Sequence, residues 1–95
     1  MESNWDELYQ DKYKLPEHLI RKAARFSEFA MGGAQITVKL RNGNEVHEAL
    51  LSNCTYIVAV RGYDALPFKI TDVADVYQTS EDEGNRDRAK WITWK

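Results

Sequence analysis

The sequence predicts a mainly β domain, a five-stranded, strongly bent antiparallel small barrel preceded by an N-terminal helix. Three observations lead there. Apolar residues recur at helical spacing as far as Met31, and beyond Gly32-Gly33 they switch to strict alternation. Turn signals at Asn42-Gly43, Ser52-Asn53 and Gly62 to Asp64 then cut the second half into short runs. One of those runs is apolar on both faces and must be covered twice, as in the interior of a bent sheet. The alternative arrangement is an open α+β sheet with the helix on one face.

The elements follow in order. Asn4 and Glu7 have capping-box spacing, and Trp5, Leu8, Tyr9 and Tyr13 then share one helical face. Pro16 suits the first position of a second helix reaching to Met31, with Leu19, Ala23, Phe26 and Ala30 as its apolar stripe and Gly32-Gly33 as its stop. Ile36, Val38 and Leu40 alternate with polar residues in the first strand. A three-residue loop over Asn42 to Asn44 would pair Leu40 with Val46 and Ile36 with Leu50, keeping the apolar set on one face. Cys54 to Val60 forms the doubly apolar third strand, Leu66 to Ile70 a fourth and Val73 to Tyr77 a short fifth. The domain with its helices (2–31) therefore spans 1–78. A polar linker follows from Thr79 to Lys90, led by Glu81-Asp82-Glu83, and then an aromatic patch at Trp91 and Trp94 that would fold back over the barrel or meet a partner.

The chain has 95 residues, 43% hydrophobic and 29% charged, which fits one small globular domain whose modest core benefits from a partner subunit. A net charge of −2 excludes a global positive field, so any nucleic-acid contact must be local. Cys54 is the sole cysteine, so no internal disulfide forms and a reducing, cytoplasmic home is expected. The N-terminus lacks the basic start and apolar run of a signal peptide, and no stretch approaches the ~18 apolar residues of a membrane span.

From Ile36 to Val76 the chain resembles the Sm-like proteins, and most closely the bacterial Sm-like RNA chaperone family (Hfq). Val38-Lys39-Leu40-Arg41-Asn42-Gly43, with Val46 and Leu50 at the spaced apolar positions, is similar to the family's first motif. Tyr56-Ile57-Val58-Ala59-Val60 looks like its third strand, which opens on an aromatic residue, and Val73-Ala74-Asp75-Val76 like its closing strand. Glu48 stands where the family has a glycine that permits strong bending, Cys54 where an acidic residue is common, and Lys69-Ile70-Thr71 where the chaperone has Tyr-Lys-His. An SH3-like barrel is the neighbouring architecture. The resemblance implies a homo-oligomeric ring of about five to seven subunits, the fourth strand of one copy pairing with the fifth of the next, so that the free edges close on themselves. It also implies binding of single-stranded, uridine- or adenine-rich RNA.

The expected RNA-binding residues are Tyr56, as a base-stacking ring, with Asn53, Lys69 and Thr71 beside it. Arg21, Lys22 and Arg25, on the polar side of the helix, are candidate phosphate contacts or simply a solvated face. Cys54 and His47 do not meet in the predicted hairpin. With no convergent acid, base and nucleophile, no catalytic residue, metal ligand or cofactor is expected. A reading of a different class is a protein-interaction module, an adaptor or toxin-neutralising protein with no nucleic-acid role.

Overall fold

The computed structural model describes residues 9–29 and 32–84. A 3-10 turn over Asp11–Tyr13 leads into α1, Glu17–Ala23. Four strands follow: β1, Gly33–Leu40; β2, Glu45–Ser52; β3, Tyr56–Val60; and β4, Val73–Tyr77. A second 3-10 turn, Ile70–Asp72, precedes β4, and a short helix α2, Ser80–Gly84, follows it. The strands form one antiparallel sheet in the order β3-β2-β1-β4. Among the described residues the fold is thus mainly β with two short helices, but the sheet has four strands and is open, whereas the sequence suggested a closed set of five. The expected first helix with Trp5 and Leu8, the helix positions Ala30 and Met31, and the tail with Trp91 and Trp94 lie outside the described residues.

Helix α1 is shorter than its apolar stripe suggests. Pro16 caps it from an extended conformation (φ −58°, ψ 152°), and its carbonyl receives the amides of Leu19 and Ile20. The helix ends at Ala23 because its next carbonyls and amides find other partners. Phe26 N–H closes a tight turn on Ala23, and the Gln78 side chain takes both the amide (2.8 Å) and the carbonyl (2.9 Å) of Ser27. Leu19 and Ala23 nevertheless face the core as expected, joined by Leu15. Each large apolar side chain so buried contributes roughly 1.5–3 kcal/mol.

The first hairpin turns one residue earlier than its motif suggested. Leu40 N–H bonds Asn44 O and Gly43 N–H bonds Leu40 O, with Gly43 at φ +93°, so the three-residue loop is Arg41 to Gly43. The pairs are Val38 with Val46 and Lys39 with Glu45. The register then slips, so that Ile36 meets Ala49 and Gln35 meets Leu50. The slip sits at Glu48, whose φ is +57°, making two residues of β2 oppose one of β1. The bend that a glycine would ease is therefore made here by a glutamate in a left-handed conformation.

The next turn is Ser52 to Thr55, closed by Thr55 N–H on Ser52 O, with Asn53 (φ 54°) and Cys54 (φ 63°) both left-handed as in a primed hairpin turn. Cys54 belongs to this turn and not to the strand. Leu51 pairs with Ile57 and Ala49 with Val60, two to four residues beyond the register that a tight Ser52-Asn53 turn would set. The expected fourth strand, Leu66 to Ile70, is not a strand. Pro67 has no amide to give a ladder. Leu66 and Phe68, from an irregular loop, and Ile70, from the 3-10 turn that follows it, instead lean on the core.

Residues 34–38 are all buried, although Gln35 and Thr37 alternate with Ala34, Ile36 and Val38. One face of β1 meets the core. The other is covered by the segment expected to be a solvated linker, where α2 packs on β1 and Asp82 is only 4% exposed.

Candidate nucleic-acid interface

The expected site residues fall into three places. At the tip of the β2–β3 turn, Tyr56 opens β3 opposite Ser52, and its outer side pairs with Lys14. Its ring lies against that of Tyr9, with centroids 4.8 Å apart and planes tilted by 32°. Asn53 Nδ2 donates to the Tyr9 hydroxyl (3.3 Å), which leaves that hydroxyl to donate to Ser52 Oγ (3.0 Å). Tyr56 thus has one face against a second aromatic ring, and Asn53 is tied into the turn. Gly32 makes room for this arrangement. Its φ is +77°, and a Cβ there would meet Asn53 Oδ1 at 2.7 Å.

Lys69 and Thr71 line an open groove of about 480 Å³. Its opposite wall is Lys12 and Tyr13 from the first 3-10 turn, and Leu66 and Phe68 complete it. Lys12 Nζ lies 5.2 Å from the Tyr13 ring centroid, within cation–π range. Two lysines, two aromatic residues and a threonine therefore line one depression. Residues 9–14 join the two places, since Tyr9 and Lys14 touch the Tyr56 turn while Lys12 and Tyr13 form the groove wall.

The helix residues are elsewhere, and none of Arg21, Lys22 and Arg25 lines the groove. Lys22 Nζ bonds Asp75 Oδ1 at 2.9 Å on β4, so it fastens α1 to the sheet. Burial alone would push the Asp75 carboxyl up. The Lys22 hydrogen bond, the Val76 amide and the charges of Lys22 and Lys39 outweigh that and hold it below the usual carboxylate range.

A second polar cluster, which the sequence did not announce, lies behind β1. Thr79 N–H donates to Asp82 Oδ2 (2.9 Å) and Asp82 N–H to Thr79 Oγ1 (3.1 Å), a reciprocal capping box. The same carboxylate receives Gln35 Nε2 and the Thr37 hydroxyl, both at 2.9 Å. Thr37 has given its one proton to Asp82, so it accepts from His47 Nδ1 at 3.1 Å. Farther along, the Tyr77 hydroxyl donates to Glu45, and that hydrogen bond, helped by desolvation and the nearby carboxylate charges, pushes the phenol up to about 12. His47 is thus turned toward Thr37, and Cys54 sits in the turn at the far end of β2. Burial, and then the negative charge of Glu28, push the Cys54 thiol up, opposite to what a nucleophile needs.

Among the described residues no three His, Cys, Asp or Glu side chains converge as a metal set, and no helix is long and apolar enough to cross a membrane. No protein-family model, curated protein or solved structure matches this chain.

Proposed function

We propose that this chain binds single-stranded RNA in the groove between the first 3-10 turn and the 65–71 loop. The observation that carries the reading is the convergence of Lys12, Tyr13, Phe68, Lys69 and Thr71 on one depression of about 480 Å³. Aromatic faces stack on bases at about 1–3 kcal/mol per base, while ammonium groups meet phosphates. A chain of net charge −2 needs this kind of local pairing of cation and ring. Two of the residues that the Sm-like resemblance indicated, Lys69 and Thr71, are in the groove. Tyr56 and Asn53 do not line it; they touch Tyr9 and Lys14, in the segment whose Lys12 and Tyr13 form its wall. Every groove residue comes from one chain, so binding does not depend on the ring that the resemblance also implies.

Fluorescence anisotropy with labelled oligouridine and oligoadenine tests the proposal. Affinity should fall as salt rises, and the Lys12→Ala/Lys69→Ala pair should flatten the log–log slope by about 1.4, at about 0.7 per phosphate released. Phe68→Ala should weaken binding by about 5- to 150-fold at constant slope. Absence of binding at low salt, or a slope indifferent to both lysines, removes the groove from consideration.

The second reading, a protein-interaction module, is favoured by Tyr63, 53% exposed on the loop after β3. A partner captured there would hold on in high salt and would be lost in Tyr63→Ser.

A further inference from the structure

The open sheet has two borders, and the chain treats them differently. The outer side of β3 is occupied by the chain itself, through the Lys14–Tyr56 and Val60–Tyr63 bridges. At β4 no strand is added among the described residues. Leu40 N–H bonds Asn44 O, so Leu40 and, two residues back, Val38 turn their backbone groups toward β2. Val76, the partner of Val38 on β4, therefore points its amide away from β1. That amide donates to Oδ1 of the preceding residue, Asp75, at 2.8 Å, and the same oxygen receives Lys22 Nζ at 2.9 Å. Next to it the ladder bulges at Ala74, since Lys39 faces Asp75 but Leu40 faces Val73. Ala74 is exposed. A carboxylate on an outward amide, a lysine pinning it and a bulge beside it are devices that blunt a sheet edge.

We propose that the Lys22–Asp75–Val76 latch is a guard on the β4 edge, and that the partner it holds off is a second copy of this chain adding antiparallel along β4. The charge placement points to a second copy. In a two-fold pairing that sets outward Val76 against the partner's Ala74, the two Asp75 carboxylates fall directly opposite each other, and like charges facing across a ladder repel. The pairing is isologous, so it closes as a dimer once the guard opens. This inference does not rest on the RNA reading.

Sedimentation equilibrium and amide exchange on the full chain test it. In Asp75→Ala the mass should climb with concentration from 11.0 kDa toward twice that value, above wild type at each matched concentration. The Val76 amide should exchange about five- to tenfold faster in dilute solution. Lys22→Ala keeps the carboxylate on the amide but frees the helix, and should fall between the two. Asp75→Asn keeps an acceptor oxygen without its charge, and should also fall between them. Thermal unfolding confirms that each variant is folded; if Asp75→Ala is not, Asp75→Asn and Lys22→Ala decide. Variants no heavier than wild type at any concentration, or a Val76 amide as slow as in wild type, overturn the proposal.

Discussion

Replacing Asp82 by alanine should cost the fold about 2–4 kcal/mol, a large effect for a residue in a run of three acids. The magnitude follows from what the carboxylate holds. It closes the capping box with Thr79, and loss of such a cap costs about 1 kcal/mol. It also accepts from Gln35, a side chain only 3% exposed, whose amide would be left buried without that acceptor at about 1–3 kcal/mol. Thr37 loses less, because its hydroxyl oxygen keeps the hydrogen bond it accepts from His47 Nδ1, 3.1 Å away. For a domain of this size each kcal/mol moves the melting temperature by about 4–8 °C, so a fall of roughly 8–32 °C is expected in calorimetry or circular dichroism. Glu81→Ala and Glu83→Ala, exposed neighbours on the same helix, should stay within about 0.5 kcal/mol. If Asp82→Ala melts with them, the carboxylate does not fasten α2 to β1 and the account of the buried face is wrong.

Three further outcomes follow from the geometry. Gly32→Ala forces a left-handed alanine with its Cβ 2.7 Å from Asn53 Oδ1, and should destabilise by about 1–3 kcal/mol in urea unfolding, an effect that Asn53→Ala in the same chain should partly relieve. Glu48→Gly should change stability by less than about 1 kcal/mol, because relief at φ +57° offsets glycine's entropy and the exposed Arg61 pair; Glu48→Val, the better strand former elsewhere, should cost about 1–2 kcal/mol. The folded-state value of Asp75 lies below its unfolded one, so its contribution is complete above about pH 4 and disappears as pH falls through the lower folded value. Acid unfolding of wild type should show this slope below pH 4 and Asp75→Ala should lack it, with a small amplitude because the pair is nearly half exposed.

The change of period at Gly32-Gly33 was legible, and with it β1, β2, most of β3 and the closing strand Val73–Tyr77, because hydrophobic alternation is a local property. The misreadings were non-local. Leu66, Phe68 and Ile70 alternate like a strand, but Pro67 cannot feed a ladder, and the pattern records only that these side chains reach the core. Glu81-Asp82-Glu83 reads as solvated because the partners of Asp82, Gln35 and Thr37, lie some 45 residues upstream. The register of β2 depended on Glu48, where no glycine advertised a bulge. At the candidate interface Lys69 and Thr71 were in view. Lys12 and Tyr13 were hidden, since Tyr13 counted as part of a helical face until the 3-10 turn set both against Phe68. Ser27 ended α1 early through Gln78, a contact with no signature in either segment.

The stretch from Tyr9 to Lys14 has two duties on its two sides. Lys14 seals the rim of β3 beside Tyr56, and Lys12 and Tyr13 wall the groove. Whatever grips that wall also presses the seal shut, by mass action on a shared piece of backbone. An occupied groove would then shield the molecule from the sticky strand-to-strand growth that bare sheet rims invite. Ligand release would be the moment at which that rim is most exposed.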